Sequence, residues 1–266
     1  MSLNRSPASN SRSDEYDRFA AIYNRWMGED FCRRMLPVVD RLLLSSLPMH
    51  SHVLDLCCGS GQMARALTER GFRVTGVDAS EEMLSFARQN APFADFRCAD
   101  ARNFVAPEPF HAALSTFNSL AHFGTVADLI AVFANVRRAL RPGSRFLFDI
   151  SMEEAYTTKW HSSFALLGDD HACIVQPTYD GSERIGTNHI TIFTLDNRFT
   201  LETRNAKLET GSCYRRSDFA IVQKCHSESD LRTALRQSGF SEIRAFDGER
   251  DLAVTGENGR MFFLCS

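Results

Sequence analysis

Two carboxylates flank a glycine turn in the first third of the chain, at a spacing suited to holding a nucleoside. The stretch Val53-Leu54-Asp55-Leu56-Cys57-Cys58-Gly59-Ser60-Gly61 runs from an apolar segment into a Gly-x-Gly turn, and Val74-Thr75-Gly76-Val77-Asp78 ends an apolar segment on an acid. Glycines let backbone approach a ligand, the free N–H groups of the following helix polarise it, and an acid after the next strand takes a pair of ribose hydroxyls. A dinucleotide fingerprint would place a third glycine where Ala64 stands. More tellingly, Asp55 puts a negative charge where a pyrophosphate would lie, and a carboxylate there suits a nucleoside that carries an ammonium. Taken alone, the glycine pair also reads as a plain tight turn.

The elements that must position these residues form an alternating β-α pattern. Strand one covers His52 to Leu56, and Gln62 to Arg70 is a helix ended by Gly71. Strand two covers Phe72 to Val77, and Ser80 caps a helix through Gln89 whose first turn holds Glu81 and Glu82. Phe93 to Ala99 is strand three, ending at Asp100, which either faces the ligand crevice or caps the turn that follows. Phe110 to Phe117 is strand four; it exits into Asn118 and, one or two turns later, His122, which is read either against the substrate or as a helix-start histidine in solvent. An amphipathic helix, Thr125 to Leu140, leads through Arg141-Pro142-Gly143 into strand five, Arg145 to Ile150.

The alternation then breaks. Residues 164–225 carry strand-like alternation, with turns at Tyr179-Asp180-Gly181 and Asp196-Asn197, the latter between His189–Leu195 and Phe199–Thr203. This predicts a small antiparallel insert of three or four strands within residues 152–225. Ser227 caps a helix to Ser238, and Ile243–Phe246 and Arg260–Cys265 close the pattern as strands. Upstream, residues 1–14 read as a disordered tail. Residues 15–30 form a helix with Tyr16, Phe19, Ala20, Tyr23 and then Trp26, and Phe31–Leu47 forms another, stopped by Pro48. The first of these is either a lid or a helix packed on the core.

In this order the motifs resemble those of class I S-adenosylmethionine-dependent methyltransferases. The resemblance rests on residues 53–61, on Val74 to Leu84, on Cys98-Ala99-Asp100-Ala101 and on Leu140-Arg141-Pro142-Gly143-Ser144, and it spans roughly residues 50–150. It implies an α/β Rossmann-like fold: a seven-stranded, mostly parallel sheet with its last strand antiparallel, helices on both faces, and a β insert after strand five. Residues 15–151 and 226–266 would form that domain. It implies S-adenosylmethionine as cofactor, held by Tyr23, Asp55, Cys57, Gly59, Ser60 and Gly61 and, farther along, by Asp78, Ala79, Met83, Asp100, Ala101, Phe117 and Asn118. In the family the Asp100 position reaches the adenine amino group and the N–H of Ala101 meets a ring nitrogen. The family usually has Gly where this chain has Cys57, and the expectation is that Cys57 holds the turn with negative φ.

Tyr16 to Asn24 resembles the lid of small-molecule methyltransferases, although Asn24 stands where the family often has Asp. With the insert, it brings the chain nearest to glycine N-methyltransferases and deoxyamino-sugar N,N-dimethyltransferases. That implies a small, amine-bearing substrate between lid and insert, with walls drawn from Tyr16, Tyr23, Tyr156, Trp160, His161, Tyr179, His189, Tyr214 and Arg215. Thr116-Phe117-Asn118-Ser119 lacks the Pro pair that clamps a flipped base, which argues against DNA.

Methyl transfer from a sulfonium is an in-line displacement with a neutral leaving group, so it needs the acceptor lone pair about 3 Å from the methyl and no acid. Orientation and desolvation leave little signature in catalytic side chains; Tyr23 and His122 are the candidates. Composition agrees with a globular domain: 266 residues, 44% hydrophobic, 24% charged, net charge −3. That charge gives no bulk attraction to nucleic acid. No apolar run reaches membrane-span length, and the first residues lack a secretory core, so a cytoplasmic protein without membrane contact is expected. Eight scattered cysteines read as reduced thiols. No metal is expected, since Asn118 and Asp149 alone do not make a site, and His50 and His52 read as surface residues at the far end of the sheet. A monomer or homodimer acting on a small molecule is the expectation. The alternatives are a binding module that has lost catalysis and a nicotinamide-dependent reductase.

Overall fold

Every residue of β1 (His52–Leu56) is buried, as befits a strand with helices on both faces of its sheet. The computed structural model describes residues 12–196 and 213–266. Chain order runs α1 (Arg12–Trp26), α2 (Gly28–Leu42), β1, α3 (Gln62–Glu69), β2 (Arg73–Asp78), α4 (Glu81–Asn90), β3 (Asp95–Cys98) and β4 (Phe110–Ser115). It continues with α5 (Val126–Ala139), β5 (Leu140–Ser151), α6 (Glu153–Lys159), β6 (Phe164–Leu167), β7 (His171–Asp180), β8 (Ile185–Asp196) and β9 (Cys213–Lys224). It ends with α7 (Glu228–Gln237), β10 (Ile243–Asp247) and β11 (Arg260–Cys265).

Among the described residues the main sheet has seven strands in the order β10-β11-β5-β4-β1-β2-β3. β11 alone runs against its neighbours β5 and β10. The expected α/β Rossmann-like sheet with its last strand reversed is the observed one. Side chains alternate across it. Leu54, Leu56, Phe146, Phe148 and Phe263 bury against Leu129, Val132, Phe133 and Val136 of α5 and Leu231 and Leu235 of α7. Val53, Val74, Leu114, Leu147 and Phe262 bury against Met35 and Val39 of α2 and Met63 and Leu67 of α3. Each such fully buried side chain contributes about 1.5–3 kcal/mol. The order reverses between β1 and β4, which opens a crevice at the carboxyl ends of β1, β2, β3 and β4.

The β insert forms a second sheet, β6-β7-β8-β9, antiparallel throughout. Its β7–β8 turn is where the sequence puts it, with Asp180 Oδ1 accepting the N–H of Ser182 and Glu183. The expected strand Phe199–Thr203 and the residue Asn197 lie outside the described residues, as do residues 1–11.

Several boundaries differ from expectation. α1 begins at Arg12, inside the stretch assigned to the tail. α2 runs from Gly28 to Leu42 with Pro37 inside it, and only a short 3₁₀ turn, Leu44–Ser46, carries the helical pattern towards Pro48. β5 starts at Leu140: Phe110 pairs with Leu140 and Ala112 with Arg145, so the expected Arg-Pro-Gly turn is an irregularity within one long strand. His52 is buried, not a surface residue; its Nε2 meets Thr75 Oγ1 at 2.8 Å, and burial pushes its pKa down to about 4.

Candidate active site

The turn after β1 is held by the acid after β2. Asp78 Oδ2 accepts the N–H of Gly59 at 2.9 Å, and Oδ1 accepts the N–H of Ser80 at 2.9 Å. Ser80 caps α4 by accepting the N–H of Met83 at 3.0 Å, so that N–H is spent within the helix cap. Burial raises the Asp78 pKa against the pull of these N–H groups.

Asp55 sits deeper, 1% exposed at the end of β1. The backbone N–H of Ala64, in the first turn of α3, donates to its carboxylate, while Oδ2 has no partner. Burial, and then the charge of Asp78, push Asp55 up to about 8. An orphaned buried oxygen beside a second carboxylate is a site for a cation with hydrogens to give.

The two glycines of the turn do different work. A Cβ on Gly59 would meet the Tyr23 ring at 3.6 Å, whereas one on Gly61 would stand 2.8 Å from Ala87 Cα on α4. Gly59 therefore faces the crevice and Gly61 serves helix packing. Both have positive φ, and so does Cys57, at +57°. The expectation of a negative φ at Cys57 is thus wrong: the turn places it where the family's glycine would be unstrained. Ser60 is buried and donates to Gln62 Oε1 at 2.8 Å.

α1 is fastened to the residues around this crevice. Asp17 accepts the Ser80 hydroxyl at 2.5 Å, at the cap of α4. Asn24 Oδ1 accepts from Gln62 Nε2 at 2.9 Å and Asn90 Nδ2 at 2.7 Å, beside the glycine turn. Tyr16 and Tyr23 are half-buried along the same helix, and desolvation, with the charge of Asp78 adding to it, holds both phenols well above their usual pKa. The Phe31 ring on α2 lies 6.5 Å from Tyr23 and 5.2 Å from Phe117, extending the aromatic wall to the β4 exit.

At that exit Phe117 and Asn118 are both left-handed, φ +70° and +61°, a conformation that costs about 1–3 kcal/mol for each such residue. Asp149 compensates by accepting both N–H groups, at 2.7 and 3.0 Å, and Arg260 neutralises it. Asp149 is thereby committed to the backbone. The Asn118 side chain turns from the crevice: Oδ1 accepts the N–H of Ser151 at 2.7 Å, and Nδ2 donates to Gln223 Oε1 on β9 at 2.8 Å.

His122 follows the β4 exit, beside Val222 of β9. Its Nδ1 lies 3.1 Å from the Val222 carbonyl, which can only accept, so Nδ1 carries the hydrogen and Nε2 the lone pair. Tyr16 Oη, 2.7 Å from that Nε2, donates to it. The solvent-facing alternative for His122 does not hold.

Asp100 caps the turn after β3, which leaves the crevice alternative open as well, because a carboxylate has about four lone-pair sites. Its Oδ1 accepts the Arg102 N–H at 2.8 Å, and the Arg102 guanidinium grips both oxygens, holding the carboxyl below its usual range. Ala101 is buried beside it, and Ala79 is exposed between Asp78 and the Ser80 cap. Of the walls expected in the insert, Tyr156 stacks on Tyr179 at 5.2 Å and contacts Trp160 at 4.8 Å. Tyr214 is exposed and Arg215 pairs with Asp196, far along the β8–β9 hairpin; His161 and His189 are exposed. Sequence reasoning missed Asp17, Phe31 and Gln223, whose roles depend on helix placement and strand register. No helix among the described residues is long and apolar enough to cross a membrane.

Residues 53–143 match the family described as a methyltransferase domain. Over 252 residues the chain is 27% identical to YqeM of Bacillus subtilis (strain 168), provisionally named a methyltransferase, covering 93% of this chain and 95% of that one. It is 31% identical over 131 residues to dTDP-3-amino-3,4,6-trideoxy-alpha-D-glucopyranose N,N-dimethyltransferase of Streptomyces venezuelae, covering 49% of this chain and 53% of the relative. In fold it is similar to the SAM-bound structure of CalS10, an amino pentose methyltransferase from Micromonospora echinaspora, with TM-score 0.68 and 19% identity, over 94% of this chain and 96% of that one.

Proposed function

We propose that the chain is a class I S-adenosylmethionine-dependent methyltransferase that methylates an amine nitrogen on a small molecule held between α1 and the insert. The observation that carries this reading is the Tyr16–His122 pair, placed under the lid at the β4 exit with the lone pair of His122 on Nε2. An aliphatic amine arrives largely as an ammonium, which has no lone pair. The Tyr16 hydroxyl takes that proton as it passes its own to Nε2 of His122, and the freed nitrogen attacks the methyl while the sulfur leaves neutral. The names of two similar proteins, an amino-sugar N,N-dimethyltransferase and an amino pentose methyltransferase, support an amino-sugar acceptor.

On this reading the cofactor ammonium sits against Asp55, whose Oδ2 awaits a donor. The ribose hydroxyls meet Asp78 and the adenine meets Asp100 and Ala101. Tyr23, lying over Gly59, covers the amino-acid end and excludes water. Cys57, Ser60, Gly61, Ala79, Met83, Phe117 and Asn118 shape the crevice through backbone and packing. When bound, the cofactor supplies the activated methyl group; the chain supplies orientation, desolvation and the proton acceptor.

The test is transfer of labelled methyl groups to matched acceptors, amino-sugar nucleotides against their hydroxyl counterparts. Transfer to the amines, yielding mono- and dimethylated products, is expected. Transfer to the hydroxyl compounds alone would overturn the nitrogen assignment.

A further inference from the structure

Helix α5 lies outside the crevice, yet it grips the loop after β3 at two points. Asp128, in its first turn, accepts from Arg102 Nη1 at 2.7 Å. Asn135, two helical turns on and so on the same face, donates from Nδ2 to the carbonyl oxygens of Ala101 at 3.2 Å and Phe104 at 3.1 Å. Asn135 is buried, and its amide orientation is fixed on both sides. Two carbonyls can be met only by the NH₂ group, and Oδ1 accepts from Arg138 at 3.0 Å. Arg102 in turn fixes Asp100: Nε and Nη2 reach its oxygens at 2.6–3.1 Å. The loop is therefore set by a helix and not by its own turns alone.

We propose that Asn135 and Arg102 are positioning residues for base selection, holding Ala101 and Asp100 where they distinguish adenine from hypoxanthine. This rests on the reading that Asp100 and Ala101 meet the base. An ionised carboxylate can only accept, so it pairs with the adenine amino group and repels the hypoxanthine carbonyl. The Ala101 N–H suits the bare ring nitrogen of adenine and clashes with the N–H that hypoxanthine carries there. Both contacts reverse sign together, and both fade if the loop shifts by an ångström.

Calorimetry with S-adenosylhomocysteine and S-inosylhomocysteine tests this on the full chain. The unaltered protein is expected to prefer the adenine compound by about 10²-fold or more, the order that two unsatisfied polar groups supply. Asn135→Leu and Arg102→Met should each cut that preference about tenfold, chiefly by losing affinity for the adenine compound. Asn135→Asp keeps the shape but cannot donate, and should behave as Asn135→Leu does. Arg102 is half-exposed, so its variant remains informative if an Asn135 variant fails to fold. Affinity lost equally for both nucleosides, with the preference unchanged, would mean a merely structural role and overturn the proposal. No preference in the unaltered protein would overturn the placement of the base as well.

Discussion

Tyr16 Oη and His122 Nε2 lie 2.7 Å apart although 106 residues separate them in the chain, so α1 is pinned to the residue proposed above as the proton acceptor. If His122 takes the acceptor proton, His122→Gln should lower kcat by about 10²-fold, the range for loss of a general base. Its affinity for S-adenosylhomocysteine should change by less than threefold, on the same argument that the residue stands on the acceptor side. Tyr16→Phe interrupts the same relay and should lower kcat to a similar extent. Steady-state rates with an amine acceptor, set beside calorimetry, check this. A His122→Gln enzyme with unchanged kcat would remove the base.

Asp55 gives the site a pH signature. Its folded pKa is raised to about 8, far above the unfolded value of about 3.9. Between these values the folded state binds the extra proton, so the stability that Asp55 contributes is full below about pH 4 and is lost as pH rises towards 8. The protein without ligand should therefore melt at a lower temperature at pH 8.5 than at pH 6, and Asp55→Asn should flatten that slope. Binding a ligand ammonium needs the carboxylate, so S-adenosylhomocysteine should release close to one proton at pH 6.5. Calorimetric enthalpies in buffers of differing ionisation heat count that proton. Release of none would detach Asp55 from the ammonium.

The two turn glycines should respond oppositely to alanine. At Gly61 the added Cβ meets Ala87 Cα at 2.8 Å, backbone that cannot yield without parting α3 from α4. The expected cost is about 1–3 kcal/mol for overpacking and about 1–2 kcal/mol for the left-handed φ. At Gly59 the added Cβ finds 3.6 Å to the Tyr23 ring, so stability should fall by the φ cost alone while S-adenosylhomocysteine binding weakens. Thermal melts and calorimetry separate the two effects. Equal melting temperatures would mean that α4 gives way at Gly61.

What the sequence could reveal follows from how local each signal is. β1, α3, the Ser80 cap and the order of the acids are written in consecutive residues, and the structure places them within a residue or two of expectation. Asp78 is legible because it must end a strand. The sign of φ at Cys57 is not, since a turn leaves no trace in side-chain type when glycine is replaced. Asp100 offered crevice and cap, the crevice being favoured; Arg102, two residues on, fixes where its oxygens point. Asn135 and Gln223 are invisible because each acts across more than thirty residues, through helix face and strand register. His52 misled because its burial comes from Thr75 on the neighbouring strand.

The lid and the insert should prove to be one unit for cofactor binding. The sequence suggests a division, with residues 15–30 covering the cofactor and residues 152–225 selecting the acceptor. In the structure Phe19 and Ile22 of α1 are buried with Cys173, Val175, Ile190, Ile192 and Ile221 of the insert. Trp26 Nε1 donates to His171 Nε2 at 2.8 Å, and Arg25 pairs with Asp170 at 2.9 Å, so the end of α1 is fastened to the insert too. A lid docks only if its apolar face has a partner, and here the insert sheet is that partner. Replacing residues 152–225 with a short Gly/Ser loop should therefore weaken S-adenosylhomocysteine binding nearly as much as deleting residues 1–30. A milder variant avoids the aggregation such a deletion invites. Ile192→Ala removes buried methyl groups from the cluster that holds Phe19 and Ile22, a change worth about 2–5 kcal/mol in a rigid core. Here it should appear mostly as faster amide exchange along α1 and a several-fold weaker S-adenosylhomocysteine affinity, although Ile192 belongs to the insert. Exchange of α1 amides unchanged by Ile192→Ala, together with full affinity after loop replacement, would show that α1 holds the crevice closed by its own clasps at Asp17 and Asn24.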